Sequence, residues 1–271
     1  MASDRSSTSG QALTDSREAE VEARRRPLRH AWDTFSFFLV LTLLAVCFTG
    51  WSLIAVVLAR LLPRRAGQRL GQNAIRVFFS FFLWTMCRLG IARVDLSAVD
   101  AVRDARGVVY VANHLALLDI LLLGSCLPRT VCIIKAAAWR NPLLGGGRLA
   151  GYIRAEEPLR LIRNAAAVLR DGSNLLIFPE GTRYPAGRMG PFRPGFALIA
   201  RQARAPIQTL FIESNSPYLR KGWPLWRRPE FPLVYRVTLG PRLPVEGGAE
   251  AFAAELGALY RMRLQPEASQ P

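Results

Sequence analysis

The sequence is short of several residue types, and each shortage excludes a class of function. Cysteine occurs four times among 271 residues, always singly within apolar runs and without a Cys-x-x-Cys spacing. This pattern disfavours both a disulfide framework and a zinc site. Lysine is limited to Lys135 and Lys221, and histidine to His30 and His114.

Acidic residues are also scarce relative to basic ones. The chain has 20 Asp and Glu against 36 Lys and Arg, which gives a formal net charge of +16 at pH 7. Such a charge attracts polyanions, whether nucleic acid, anionic lipid headgroups or phosphorylated substrates. Charge alone does not choose among these partners.

Charged residues are absent from residues 35–59, which read FSFFLVLTLLAVCFTGWSLIAVVLA. As a helix this stretch would be about 37 Å long, at roughly 1.5 Å per residue, and it predicts a membrane segment. A cleaved signal peptide is disfavoured because the charged leader is too long. A second apolar run, residues 77–87, is either a core helix or the second arm of a hairpin. Arginines flank the first run on both sides, which fits a hairpin with both ends in the cytoplasm.

The chain divides into three parts by composition. Residues 1–30 are polar and predict a disordered tail, residues 31–95 predict a membrane-associated helical segment, and residues 96–271 predict a catalytic domain. In the last part short β-rich runs alternate with helical ones, which predicts an α/β fold with a central, mostly parallel or mixed sheet flanked by helices. The predicted strands are 108–112, 130–134, 174–178, 207–212 and 233–239, and the predicted helices are 115–126, 158–170 and 249–264.

The stretch VVYVANHLALLDILLL, residues 108–123, is apolar except for Asn113, His114 and Asp119. On one continuous helix, side chains five positions apart would point about 140° away from each other. His114 is therefore expected in the loop between strand and helix, with its ring turned back toward Asp119. A hydrogen bond to this carboxylate would leave the other ring nitrogen free as a general base. A structural histidine is the alternative.

A second polar cluster follows an apolar strand in LLIFPEGTR, residues 175–183. Strand ends are where ligands bind in open α/β sheets. Glu180 is expected to bind hydroxyls, Thr182 and the backbone near Gly181 to donate to a phosphate, and Arg183 to hold that phosphate with two parallel hydrogen bonds. An ordinary polar turn is the alternative.

Together, His-x-x-x-x-Asp and Phe-Pro-Glu-Gly-Thr-Arg resemble the glycerolipid acyltransferase family over residues 108–210. The resemblance implies acyl transfer with His114 and Asp119 as catalytic residues. It also adds Lys135, in KAAAWRNPLLGG, to the candidate substrate-binding residues, and it implies that no metal or cofactor takes part.

Two positions depart from the family pattern. Ala116 stands where the family usually has serine, and Glu157 stands where it has an arginine that is thought to meet the acceptor phosphate. Arg154, Arg160 or Arg163 is the expected substitute for this arginine, and Arg154 is the candidate substrate-binding residue among them. The second departure also leaves open an acceptor such as an amino-acid lipid or a hydroxylated lipid of a particular pathway. A non-catalytic membrane protein that binds anionic lipid is the alternative from another class, and the His114 and Asp119 pair argues against it.

The stretch YLRKGWPLWRRPEF, residues 218–231, interleaves basic residues with tryptophans. This composition suits an anionic bilayer surface, or a plain solvated loop, and the membrane segment in the same chain disfavours nucleic acid as the partner. We therefore expect an enzyme of the bacterial inner membrane whose catalytic domain faces the cytoplasm. The expected donor is acyl-CoA or acyl carrier protein, the acceptor is a lysophospholipid, and the expected product is phosphatidic acid.

Overall fold

The computed structural model describes residues 6–185 and 188–264, and it contains a seven-stranded sheet flanked by helices. This confirms the predicted α/β class. The strands are β1 (Ala92–Asp95), β2 (Val109–Ala112), β3 (Thr130–Ile134), β4 (Ile153–Arg154), β5 (Asn174–Ile177), β6 (Ile207–Ser214) and β7 (Leu233–Leu243). The α-helices are α1 (Ser6–Leu61), α2 (Arg64–Arg88), α3 (Leu118–Cys126), α4 (Ala136–Trp139), α5 (Gly145–Leu149), α6 (Pro158–Arg170), α7 (Gly195–Ala203) and α8 (Ala249–Leu264).

The sheet has the strand order β1-β7-β6-β2-β5-β3-β4. Neighbouring strands are parallel except for β6 and β7, which are antiparallel. The carboxyl ends of β2, β5, β3 and β4 therefore lie along one edge, where open α/β sheets bind ligands. All five predicted strands and three predicted helices of the catalytic domain are present, but α3 begins at Leu118 rather than at residue 115. The loop that holds His114 is correspondingly longer.

Apolar side chains on both faces of the sheet form two cores. Along β2, Val109 and Val111 pack against the layer of α6, α7 and α8, whereas Tyr110 and Ala112 pack against the layer of α2 and α3. All four side chains are fully buried. Alternate residues of a strand point to opposite faces, so a strand covered on both faces needs a continuous apolar run. The sequence Val-Val-Tyr-Val-Ala supplies it.

The N-terminal apolar helix packs against the catalytic domain along one side. Residues 27–61 of α1 are, among the described residues, the one helix long and apolar enough to cross a membrane, with a mean hydropathy of 2.3 over 18 consecutive residues. Near the start of this segment Phe37 lies 5.9 Å from Tyr218 between ring centroids. Near its end, the Ser52 hydroxyl donates to the carbonyl oxygen of Leu143. The helix therefore contacts the domain at two levels about 22 Å apart.

The opposite side of α1 is apolar and exposed. The exposed residues include Phe35, Phe38, Leu39, Val46, Leu53, Ile54 and Val57. A contiguous apolar surface of this kind on a protein usually marks an interaction with lipid or with another protein. The helix thus presents one apolar side to the domain and another away from it.

The second apolar run, residues 77–87, belongs to α2 and is buried on one side and exposed on the other. Phe82 and Met86 are buried in the core, and Phe79 packs so closely on α3 that a Cβ at Gly124 would lie 2.7 Å from its ring. In contrast, Val77 and Trp84 are exposed. Helices α1 and α2 are consecutive, but use of this pair as a membrane hairpin stays a prediction.

Helix α1 begins at Ser6, so it includes residues 6–30 of the stretch whose composition predicts a disordered tail. Residues 1–5 of that stretch lie outside the described residues, as do residues 265–271 of the catalytic domain. The three-part division of the chain remains a prediction.

Candidate active site

His114 lies in the loop that follows β2, as predicted. The preceding residue, Asn113, fixes the end of the strand: its Nδ2 donates to the carbonyl oxygen of Ile212 at 2.9 Å, and its Oδ1 accepts from the Ile212 N–H at 2.8 Å. The Asn113 side chain therefore adds two hydrogen bonds between the end of β2 and β6. The sequence offered no signal for this role, because the partner is nearly a hundred positions away.

The His114 ring pairs with Asp119 on the first turn of α3. The Nδ1–H of His114 donates to Asp119 Oδ2 at 2.9 Å, and the backbone N–H of Ala116 donates to the same oxygen at 2.8 Å. Asp119 is fully buried, and its Oδ1 has no hydrogen-bond partner among the described residues. Burial raises the pKa of the Asp119 carboxyl, while its hydrogen bond from His114 lowers it. A buried carboxylate in this position stabilises a positive charge on the imidazole.

The rest of the histidine ring is held by stacking. The rings of His114 and Phe178 have centroids 4.1 Å apart and an interplanar angle of 22°. Only 12% of the His114 side chain is exposed, and Nε2 has no hydrogen-bond partner in the described part of the chain. The ring is thus fixed through Nδ1, and Nε2 is the nitrogen left for a substrate proton. Phe178 opens the Phe-Pro-Glu-Gly-Thr-Arg motif, but its contact with His114 is visible only in the fold.

Glu180 also turns toward His114. Its Oε1 accepts a hydrogen bond from the backbone N–H of His114 at 3.1 Å, and its Oε2 is buried without a partner among the described residues. Burial raises the pKa of Glu180 to about 7, and the nearby Asp119 charge adds to the increase. Only 4% of Glu180 is exposed, so little of it is open to the substrate hydroxyls that the sequence assigned to it. This hydrogen bond joins the two motifs of the sequence, residues 114–119 and 178–183.

Residues 181–183 form the exposed side of the same loop. Gly181 has a φ of +67°, a backbone conformation that residues with a Cβ rarely adopt. The Thr182 hydroxyl lies 3.5 Å from the carbonyl oxygen of Arg183. Arg183 Nη1 donates to the carbonyl oxygen of Leu219 at 2.6 Å. The guanidinium is therefore attached to the loop after β6, and its other N–H groups remain for a ligand.

Lys135 and Arg154 lie on the same edge of the sheet but away from His114. Lys135 follows β3 and is exposed, and Arg154 ends β4, where it pairs with Ile134 of β3. At about 4.8 Å per strand, β3 and β4 lie roughly 10 and 14 Å from β2 across the sheet. Arg154 Nη1 is 3.7 Å from Glu156 Oε1. The structure therefore brings together His114, Asp119 and the 180–183 loop, and leaves these two cations at the far end of the edge.

Known proteins resemble this chain in sequence and in fold. A family model described as Acyltransferase matches residues 93–213. A 1-acyl-sn-glycerol-3-phosphate acyltransferase of Cocos nucifera is 37% identical over 122 residues, which cover 42% of this chain and 40% of that protein. Its counterpart in Pseudomonas aeruginosa is 24% identical over 233 residues, which cover 82% and 85%.

The fold comparison agrees with the sequence comparison. The crystal structure of the 1-acyl-sn-glycerophosphate acyltransferase of Thermotoga maritima superposes with a TM-score of 0.65 at 20% identity, over 90% of this chain and all of that one. The matched residues 93–213 contain β2, α3 and β5, which carry both motifs. The matched model and these relatives together support placing this chain with the glycerolipid acyltransferases.

Proposed function

We propose that the protein transfers a fatty acyl group from acyl-CoA or acyl carrier protein to the free hydroxyl of 1-acyl-sn-glycerol-3-phosphate, which gives phosphatidic acid. The relatives in coconut and Pseudomonas carry the name of this activity. The observation that carries the proposal is the 2.9 Å hydrogen bond between His114 Nδ1 and the buried Asp119. It fixes the tautomer in which Nε2 accepts a proton.

In the proposed mechanism His114 acts as the general base. Nε2 takes the proton of the acceptor hydroxyl while the oxygen attacks the thioester carbonyl carbon. The tetrahedral intermediate then collapses, the carbon–sulfur bond breaks, and the imidazolium returns its proton to the thiolate that leaves. Asp119 carries the balancing negative charge while the ring is protonated. No protein nucleophile takes part, because the acceptor attacks directly.

The substrate phosphate is assigned to the exposed end of the 180–183 loop. Arg183 supplies a planar guanidinium with several donors, which matches the oxygens of a phosphate. Lys135 and Arg154 add positive charge farther along the same edge. A smaller, phosphate-free acceptor would leave these donors without a partner.

Replacing Arg183 with lysine should raise the KM for lysophosphatidic acid about tenfold, since a hydrogen bond to a charged group contributes roughly 1.5 kcal/mol or more. The ammonium keeps the charge but loses the planar arrangement of donors. Steady-state kinetics with lysophosphatidic acid and with monoacylglycerol would measure the effect. An equal loss with both acceptors would show that Arg183 serves mainly to hold the Leu219 carbonyl.

The proposed location is the bacterial inner membrane, with the catalytic domain on the cytoplasmic side, where thioester donors are present. We propose that α1 and α2 insert as a hairpin into one leaflet. The contacts of α1 with the domain at two levels support this, because a helix that crossed the bilayer would carry Leu143 or Tyr218 into the hydrocarbon with it. The exposed apolar residues on the outer side of α1 would then contact lipid.

Thiol labelling should distinguish the hairpin from a single crossing. Cysteines are placed one at a time at Ser9 and Ser269 in a variant without the four native cysteines, and intact cells are treated with an impermeant thiol reagent. The hairpin predicts that both positions stay unlabelled until the membrane is opened. Labelling of position 9 alone in intact cells would establish a single crossing instead.

A further inference from the structure

A small cavity with three cationic side chains lies beside the active site and has no role in the chemistry above. It has a volume of about 250 Å³ and lies mainly in the loop of residues 215–232, here named the basic loop. This volume is below that of pockets for drug-sized ligands, and it suits a compact charged group. The lining residues are Pro185, Pro217, Arg220, Lys221, Gly222, Trp223, Pro224 and Arg227.

The cations of the cavity are not neutralised by the protein. Within residues 27–185 and 188–264, no carboxylate lies at ion-pair distance from Arg220, Lys221 or Arg227, whereas Arg228 is 3.6 Å from Asp33. The Nε of Arg220 is buried and has no hydrogen-bond partner among the same residues. An unpaired buried donor is unfavourable, so a ligand that accepts this hydrogen bond gains from binding here.

The cavity is attached directly to both active-site loops. Leu219 precedes Arg220, and its carbonyl oxygen accepts from Arg183 Nη1 at 2.6 Å and from the Leu117 N–H at 3.3 Å. Leu219 has a φ of +59°, an uncommon conformation for a branched residue. The chain thus makes a sharp turn that directs its carbonyl to the active site and the following cations to the cavity.

Tyr235 gives a second link between the cavity and the catalytic pair. Burial raises the pKa of Tyr235 to about 12. The nearby Asp119 carboxylate also raises this pKa, and the nearby Arg220 cation lowers it. Asp119 and Arg220 are therefore both among the charged neighbours of the Tyr235 hydroxyl.

The basic loop also sits at the beginning of the apolar segment of α1. Arg228 Nη2 is 2.9 Å from His30 Nδ1, and Phe37 lies 6.2 Å from Phe231 between ring centroids. At the tip of the loop Trp226 is 73% exposed, and tryptophan favours the level of lipid headgroups. A lipid whose chain lies along α1 would bring its headgroup to the cavity.

We infer that the cavity of the basic loop binds the phosphate of the lysophospholipid acceptor through Arg220, Lys221 and Arg227. This rests on the proposed function, and it adds to Arg183, whose guanidinium contacts Leu219, three cations for the same phosphate that the sequence motifs do not contain. Arg154, the alternative cation on the sheet edge, already has Glu156 within 3.7 Å, and Glu157 adds a further negative charge beside it. Arg220, Lys221 and Arg227 have no carboxylate at ion-pair distance within residues 27–185 and 188–264.

The test compares Arg220→Gln with Arg170→Gln, a matched control at the exposed end of α6 on the opposite edge of the sheet. We expect the KM for lysophosphatidic acid in neutral detergent to rise at least tenfold for Arg220→Gln and to stay unchanged for Arg170→Gln. The double variant Lys221→Gln with Arg227→Gln changes only exposed side chains and should show the same increase. It keeps the test valid if Arg220→Gln does not fold.

Further measurements separate the sources of phosphate. A rise in the KM for acyl-CoA without a rise for the acceptor would assign the cavity to the phosphates of the donor and overturn the inference. Loss of binding to phosphatidylglycerol vesicles with no change in either KM would assign it to the bilayer surface and would also overturn it. If Arg220→Gln and the double variant both use lysophosphatidic acid with the wild-type KM, the inference is refuted and the proposed function is not. If the wild-type protein does not use this acceptor at all, the proposed function is refuted.

Discussion

Replacing His114 with alanine should lower kcat for acyl transfer by about 10²- to 10⁴-fold, the range that a positioned general base contributes. Nε2 is the ring nitrogen without a partner, and alanine offers no group that accepts the hydroxyl proton. The neighbouring Glu180 cannot replace it, since its Oε1 is bonded to the His114 backbone and its Oε2 is buried. The measurement is transfer from labelled acyl-CoA to lysophosphatidic acid by purified protein.

The other histidine of the chain provides a matched control for this variant. His30 lies on α1, where its Nδ1 is 2.9 Å from Arg228 Nη2, and His30→Ala should keep wild-type turnover. Because alanine also removes the stacking on Phe178, His114→Gln should be tested beside it and compared with wild type by circular dichroism. Turnover of folded His114→Ala near the wild-type rate would exclude the histidine mechanism.

Local sequence patterns were sufficient to predict most of the sheet. Short, continuous apolar runs such as residues 108–112 predict buried strands, and this run forms β2. The same reasoning missed α7, because its start follows the Pro- and Gly-rich stretch Pro191–Gly195, which local rules interpret as a loop. It also missed β1, a four-residue strand with two charged residues that depends on pairing with β7.

The catalytic pair could be predicted because its two members are close in sequence and unusual in an apolar segment. The contacts that support the pair could not be predicted in this way. Phe178 and Glu180 reach His114 only because β5 lies beside β2 in the sheet. Arg183 donates a hydrogen bond to Leu219, which lies 36 positions later in the sequence. These contacts depend on the strand order, which no local pattern specifies.

Asp119→Asn tests the electrostatic part of the mechanism, and we expect a fall of about 10²- to 10⁴-fold in kcat with little change in the KM for either substrate. Asparagine has nearly the same shape and can still accept from the Ala116 N–H, which Asp119 Oδ2 does at 2.8 Å. It carries no charge, so it cannot stabilise the imidazolium that forms when His114 takes the proton. The ground-state complex contains neutral imidazole and should bind substrates as before.

The control for this variant is Asp171→Asn, at the exposed end of α6, which should behave as wild type. The fully buried position of Asp119 makes the expected effect large, because a charge acts more strongly where water does not screen it. If Asp119→Asn instead raised KM and kept kcat, the carboxylate would be contributing to substrate binding rather than to the transition state. The expected fall in kcat would instead be due to the lost charge, because asparagine can preserve the orientation of His114.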